Sequence, residues 1–210
     1  MWRAQIDGLR LRFHLAGINN QNFLMRDEET GTYWQQISGV AVAGPLAGRR
    51  LSLVASDELT FALWKAENRE GTVLNDLPIY VPEYAPKNWD VRMAKAPTVL
   101  SHAQNGLTAR DLMLGIRAFG VSRAFRYDTV LKEKLIQDHV GAEPVILIVG
   151  PDDQSVRVFR RGIPSVDGLP EFYRVSGKEL QQGHSSPTGA LFLDDLTGSA
   201  WNFQDARIRF

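Results

Sequence analysis

The chain has 210 residues, 44% hydrophobic and 23% charged, a composition that folds as a globular protein with a real core. Lysine plus arginine and aspartate plus glutamate balance at 24 each, which removes the basic footprint of a nucleic-acid binder. There is no cysteine, which excludes disulfides, thiolate metal sites and a cysteine nucleophile, and no run of ~18 apolar residues that would form a transmembrane segment.

Residues 2–15 read as a hairpin. Trp2, Ala4 and Ile6 alternate with polar residues, Asp7-Gly8 is a strong turn signal, and Leu9, Leu11 and Phe13 alternate again. Met1 opens in mid-strand, and Met1-Trp2-Arg3-Ala4-Gln5 has neither the apolar core nor the cleavage site of a signal peptide. The expectation is either a natural start further upstream or an edge strand there, which a second copy could cover in a homodimer.

The next stretch, Asp27-Glu28-Glu29-Thr30-Gly31-Thr32-Tyr33-Trp34, returns near the C-terminus as Asp194-Asp195-Leu196-Thr197-Gly198-Ser199-Ala200-Trp201. Both copies read D-x-x-T-G-[ST]-x-W, and apolar residues lead into each. An Asp carboxylate accepts bonds from backbone N–H groups two or three residues on, and Gly supplies a positive φ. Each copy therefore predicts a hairpin turn. The favoured reading makes Asp the closure and Trp a core residue. The alternative makes Asp27, Trp34, Asp194 and Trp201 a ligand site with an aromatic platform.

The second strand of the first hairpin runs through Ile37 towards Val42. Gly44-Pro45-Leu46-Ala47-Gly48 is a turn before a strand at 49–54, and Ser56-Asp57-Glu58 starts a helix over about 57–68. Residues 75–110, punctuated by Pro78, Pro82, Pro86 and Pro97, read as a long surface connection with at most one short strand. Tyr80, Tyr84, Trp89 and His102 lie in it, and the plain expectation is that these rings pin it to the core. A strand at 112–119 turns at Val121-Ser122 and returns through 123–127. Asp128 caps a helix of about 129–137, and 144–149 is continuous enough for a fully buried strand. A turn at Pro151-Asp152-Asp153 precedes a strand through Val156, Val158 and Phe159.

Asp167-Gly168-Leu169 precedes Tyr173 as Asp7-Gly8-Leu9 precedes Phe13. From this Asp-Gly to the D-x-x-T-G turn is 20 residues in the first half and 27 in the second, the excess falling in the loop 177–189. A final strand is expected at 206–210. The reading is an α+β, β-rich chain with an internal duplication. Antiparallel hairpin units pack as two sheets, a sandwich or a partly open barrel, with about two short helices. Its parts are a first β-rich repeat at 1–74, a proline-rich connection at 75–110 and a second repeat at 111–210, forming one globular unit.

Several segments resemble a known family. They are Phe23-Leu24-Met25-Arg26-Asp27 through Trp34-Gln35-Gln36 with Gly39 and Gly44-Pro45-Leu46-Ala47-Gly48, then Trp64-Lys65-Ala66 with Thr72-Val73-Leu74. Arg123-Ala124-Phe125 with Asp138 and Val145, Val158-Phe159-Arg160 and Thr197-Gly198-Ser199-Ala200-Trp201-Asn202 complete the set. In order and spacing the chain resembles the bacterial domain-of-unknown-function family numbered 3179. The resemblance implies architecture and a periplasmic or extracellular location, not chemistry. Members usually carry an upstream segment with a Cys-Pro-x-Cys-type motif and a secretion or lipoprotein leader, neither of which is in this sequence. His14 stands where a small residue is common in the family pattern.

Four histidines, His14, His102, His139 and His184, show no i, i+4 ligand pair, and His14 is the metal-site candidate. The acidic turn tips are far shorter than a ~12-residue EF-hand loop. No nucleophile elbow and no glycine-rich phosphate loop occurs. Arg123, Arg126, Arg160 and Arg161 read as solvated strand faces, with Arg123 able to pair with Asp138, and these two join the binding candidates. No cofactor is specified. Three functional readings follow: a non-enzymatic extracytoplasmic module that binds a ligand or docks on a partner protein, a metal- or haem-associated redox component, and a hydrolase using Asp27 or Asp194.

Overall fold

The computed structural model describes residues 1–19, 22–54, 56–95, 106–108, 110–174 and 190–204. His102, His184, the loop 177–189 and the strand expected at 206–210 lie outside them. The chain divides into two units, the first built on Met1–Ser56 and the second on Asp57–Ala94 and the chain from 104 onward.

In the first unit, β1 (Gln5–Ile6) and β2 (Leu9–Arg10) form the expected hairpin about Asp7 and Gly8, whose φ angles of 47° and 84° suit a tight two-residue turn. Both arms are shorter than expected: Met1 lies outside any strand, and Trp2 makes only an isolated bridge to Leu53. Phe13 instead opens β3 (Phe13–Asn19), which joins β4 (Asn22–Asp27), β5 (Tyr33–Gln35) and β6 (Val40–Ala43) in an antiparallel sheet of that order. The strand expected at 49–54 makes only isolated bridges, Arg50 to Val40 and Leu53 to Trp2. Positive φ at Gly39, Gly44 and Gly48 bends the chain on both sides of β6, so this segment gives Leu51 to the core rather than a full ladder. Ile6, Leu11, Trp34, Ala41 and Leu51 form that core, with Trp2, Phe13 and Met25 against it.

The second unit opens with α1 (Phe61–Glu67). The helix expected over 57–68 starts later because Thr60, not Ser56, caps it, accepting from Leu63 N at 3.3 Å. Asp57 is drawn elsewhere: Arg157 Nε and Nη2 donate to its carboxylate at 3.0 and 2.8 Å. The proline-rich stretch carries a 3-10 turn, Pro78–Glu83, and α2 (Trp89–Ala94), with no strand among its described residues. Its rings do not pin it down, since Tyr80, Tyr84 and Trp89 are exposed.

β7 (Met113–Ala118) and β8 (Val121–Arg126) form a hairpin, followed by α3 (Tyr127–Glu133) and β9 (Leu135–Val140). The helix expected at 129–137 is displaced at both ends. Arg126 takes the cap position and Asp128 sits in the first turn, while Lys134, at φ 66°, breaks the helix and sends Leu135 and Ile136 into a strand. β10 (Glu143–Val149) pairs with β9 on one side and β11 (Val156–Arg160) on the other. β12 (Phe172–Arg174), β13 (Ala190–Asp194) and β14 (Ala200–Asn202) form a second three-stranded sheet.

β10 is apolar throughout because both of its faces are buried. Val145, Leu147 and Val149 meet Ile116 and Val130, whereas Ile146 and Ile148 meet Leu63, Phe172, Phe192 and Phe203. The β-rich class with short helices holds, and the sheets do not close into a barrel. Arg157 lies in this interior at 5% exposure. Besides Asp57 it donates to Glu67 at 2.8 and 2.7 Å and to Phe203 O at 3.1 Å, and its guanidinium covers the Phe203 ring at 4.4 Å. A buried arginine needs such saturation, and these bonds tie α1 to β11. Arg161 also departs from the expected solvated face: it is buried and donates to Pro170 O and Glu171.

Candidate functional site

The β4–β5 turn shows what D-x-x-T-G-[ST]-x-W does. Thr30 N donates to Asp27 Oδ1 at 2.5 Å, Thr30 Oγ1 donates to the same carboxylate at 2.9 Å, and Trp34 Nε1 donates to Oδ2 at 2.7 Å. Gly31, at φ 70°, donates its N–H to Asp27 O at 3.1 Å. Phe13 meets the Trp34 ring edge-on at 6.1 Å.

The β13–β14 turn repeats this scheme. Thr197 N and Oγ1 donate to Asp194 at 2.5 and 2.7 Å, Trp201 Nε1 donates to Oδ2 at 2.8 Å, and Gly198, at φ 67°, bonds Asp194 O at 3.1 Å. Phe172 meets Trp201 edge-on, again at 6.1 Å. The spacing pointed to Tyr173 as the counterpart of Phe13, but Phe172 holds that place: Phe13 lies opposite Asp27 and Phe172 opposite Asp194.

Both aspartates are 0% exposed, as is Trp34. Burial pushes each carboxyl up, but the indole and turn hydrogen bonds outweigh it and hold both below the ordinary aspartate value. They are ionised, buried and fully engaged, so neither is presented to solvent as an acid or base. A fully buried Trp34 offers no platform to a ligand, and its indole acts as core and as donor.

The other expected site residues stand apart from the turns. Arg123 and Asp138 pair across β8 and β9, half-exposed, and Asp138 also accepts from His139 N at 2.7 Å. His14 is exposed on β3 opposite Arg26. Among the described residues no group of three or more His, Cys, Asp or Glu is gathered as metal ligands.

Two surfaces escaped the sequence reading. In the first unit a groove of about 570 Å³, whose lining includes Phe13, Met25, Ile37 and Leu53, runs beside an apolar face that bears Leu15, Ile18 and Phe23. In the second unit a cleft of about 290 Å³ lies among Leu59, Leu114, Tyr127 and Val156, with Glu58 also in its lining. Beside it Asp152 accepts from Thr60 Oγ1 and Ser155 Oγ, both at 2.6 Å. Burial opposes ionisation there, but the bonds from Ser155 and Thr60 bring the Asp152 carboxyl down to about 2. The D-x-x-S spacing of Asp152 and Ser155 was a readable sign of that turn. The partnership with Thr60 joins residues 92 apart and left no local trace.

The family model described as "Protein of unknown function (DUF3179)" matches residues 1–210, so the chain belongs to that family. No curated protein and no solved structure matches it.

Proposed function

We propose that this chain, as a member of that family, is a bacterial extracytoplasmic binding module that docks on a protein partner through the apolar face of its first unit. One observation carries the reading. Ile18 and Phe23 are cross-strand partners, 69% and 49% exposed, and Leu15 at 62% lies on the same side of the sheet. Ile37 and Leu53, each 67% exposed, border the adjoining groove. The face continues the one that buries Phe13, Met25 and Trp34, so the side chains of a core extend into solvent. Contiguous apolar surface of this kind marks interaction sites.

The extracytoplasmic location rests on the family resemblance alone. Fractionation of cells that make the protein tests it: recovery in the periplasmic or extracellular fraction agrees, and recovery in the cytoplasm ends it. A photo-crosslinking residue at position 23, in cells that make the protein, tests the face. The expected result is a discrete protein adduct that is missing when the probe sits at exposed Arg10. An adduct of twice the chain's mass makes the partner a second copy, the homodimer. No adduct beyond that at position 10 refutes the docking face.

We also read β3–β5 and β12–β14 as products of an internal duplication, because the two turns agree bond for bond from the aspartate to the indole.

A further inference from the structure

Among the described residues, β7 has a free edge. It pairs there with β8 alone, Met113 opposite Arg126 through Ala118 opposite Val121, and Tyr127 N donates to Leu112 O at 2.9 Å. In an antiparallel ladder, residues bonded to the partner alternate with residues whose N–H and C=O point away. Leu112, Leu114, Ile116 and Ala118 therefore turn their backbone groups to β8, and Met113, Gly115 and Arg117 turn theirs outward. Among the described residues, nothing bonds these outward groups. Gly115 is exposed, and a Cβ built on it would meet no atom within 4 Å.

β11 shows the same pattern. Gly150 N donates to Ser155 O and Arg161 N to Pro144 O, which sets Ser155, Arg157, Phe159 and Arg161 towards β10. Val156, Val158 and Arg160 turn outward. The two strands run alongside in one sense: their first residues line the same cleft, and at their far ends the Arg160 guanidinium lies 4.8 Å from the Phe119 ring centroid. The 290 Å³ cleft thus has strand-edge backbone at its sides and Leu59, Leu114 and Val156 in its lining. Glu58, in the same lining, makes no hydrogen bond or ion pair among the described residues.

We propose that this cleft takes an extended peptide segment of a partner protein, added as a strand on the β7 edge. Its apolar side chains face Leu59, Leu114 and Val156, and a basic side chain meets Glu58. Alternating donors and acceptors at strand spacing are what an extended backbone satisfies. The apolar lining fits alternate apolar side chains, and the unpaired carboxylate fits a cation. The site lies wholly in the second unit and does not rest on the docking face of the first.

The probe is a fluorescein-labelled hexapeptide of alternating valine and threonine ending in lysine, titrated with the full chain and read by anisotropy. Saturable binding is expected, and it is lost when alternate peptide amides are N-methylated. Gly115→Pro removes one outward N–H and leaves the β8 ladder intact. It is expected to weaken binding about tenfold or more, while Gly115→Ser stays within about twofold. Glu58→Gln weakens the lysine peptide and leaves its norleucine counterpart unchanged. Phe23→Asp leaves peptide binding unchanged, so failure of the first unit's docking face would be seen separately. If Gly115→Pro does not fold, the N-methylated peptide decides alone. No saturable binding at millimolar chain, or binding indifferent to N-methylation, overturns the proposal. So does a self-association of the chain that competes with the peptide and vanishes in Gly115→Pro, since a second copy would then cover the edge.

Discussion

Asp27 and Asp194 accept the same donors from the same positions, yet the two turns sit in different surroundings. Trp34 is fully buried and Trp201 only partly. Thr32, also 0% exposed, accepts from Leu46 N at 3.2 Å, so the turn at 44–48 closes over the first motif. Its counterpart Ser199 is exposed. Local chemistry sets the shape of each turn, and the neighbours set how much of the unit's stability depends on it.

The largest contrast is expected at the indoles. Trp34→Ala removes a buried ring and the donor to a buried carboxylate, and should cost about 3–5 kcal/mol. Trp201→Ala, with less area to lose, should cost less; urea unfolding of both variants measures the gap. Equal losses would mean that burial does not separate the turns.

Acid sharpens the comparison by another route. Asp27, Asp194 and Asp152 all have folded-state carboxyls below their ordinary value of 3.8, Asp152 at about 2. Where the unfolded chain binds more protons than the folded one, stability rises with pH. These carboxylates therefore contribute fully above the unfolded value, and their contribution is lost as pH falls below it, for Asp152 down through about 2. Asp152→Asn should flatten that part of the stability–pH curve, and an unchanged slope would contradict the assignment.

Replacing Asp27-Glu28-Glu29-Thr30-Gly31-Thr32-Tyr33-Trp34 by the second octapeptide tests whether the turns are interchangeable. The chain should still fold, losing about 2–4 kcal/mol: Tyr33→Ala removes the ring under Arg26, Glu29→Leu the carboxylate that accepts from Arg12 N and Nε, and Thr32→Ser a buried methyl. An unfolded graft would show that the two turns are not interchangeable. The smallest effect is expected at Arg123→Ala, which breaks a half-exposed ion pair worth less than about 1 kcal/mol.

The parts of this fold that were legible in the sequence are those with local causes. Asp7-Gly8 set a hairpin, D-x-x-T-G set two turns, and the apolar run at 145–149 set a strand buried on both faces. The register error at Tyr173 came from counting from Asp167-Gly168, whereas the ladder places Phe172 opposite Asp194. The misplaced helix ends have distant causes as well as local ones: Asp57 is claimed by Arg157, 100 residues away, and Lys134 adopts a left-handed conformation no pattern announced. The candidate surfaces were harder still. Strand edges and an apolar face left open among the described residues depend on what packs against them, and alternation along one strand does not record that.

Each aspartate and its tryptophan form one structural unit through the indole bond. A double-mutant cycle of Asp27→Asn and Trp34→Phe, read by urea unfolding, tests it most directly. Trp34→Phe deletes only the N–H donor and the second ring, and Asp27→Asn the charge that receives it. A coupling of about 1–3 kcal/mol is expected between the two sites. Losses that add to within about 0.5 kcal/mol would show that the indole bond does not couple the two residues.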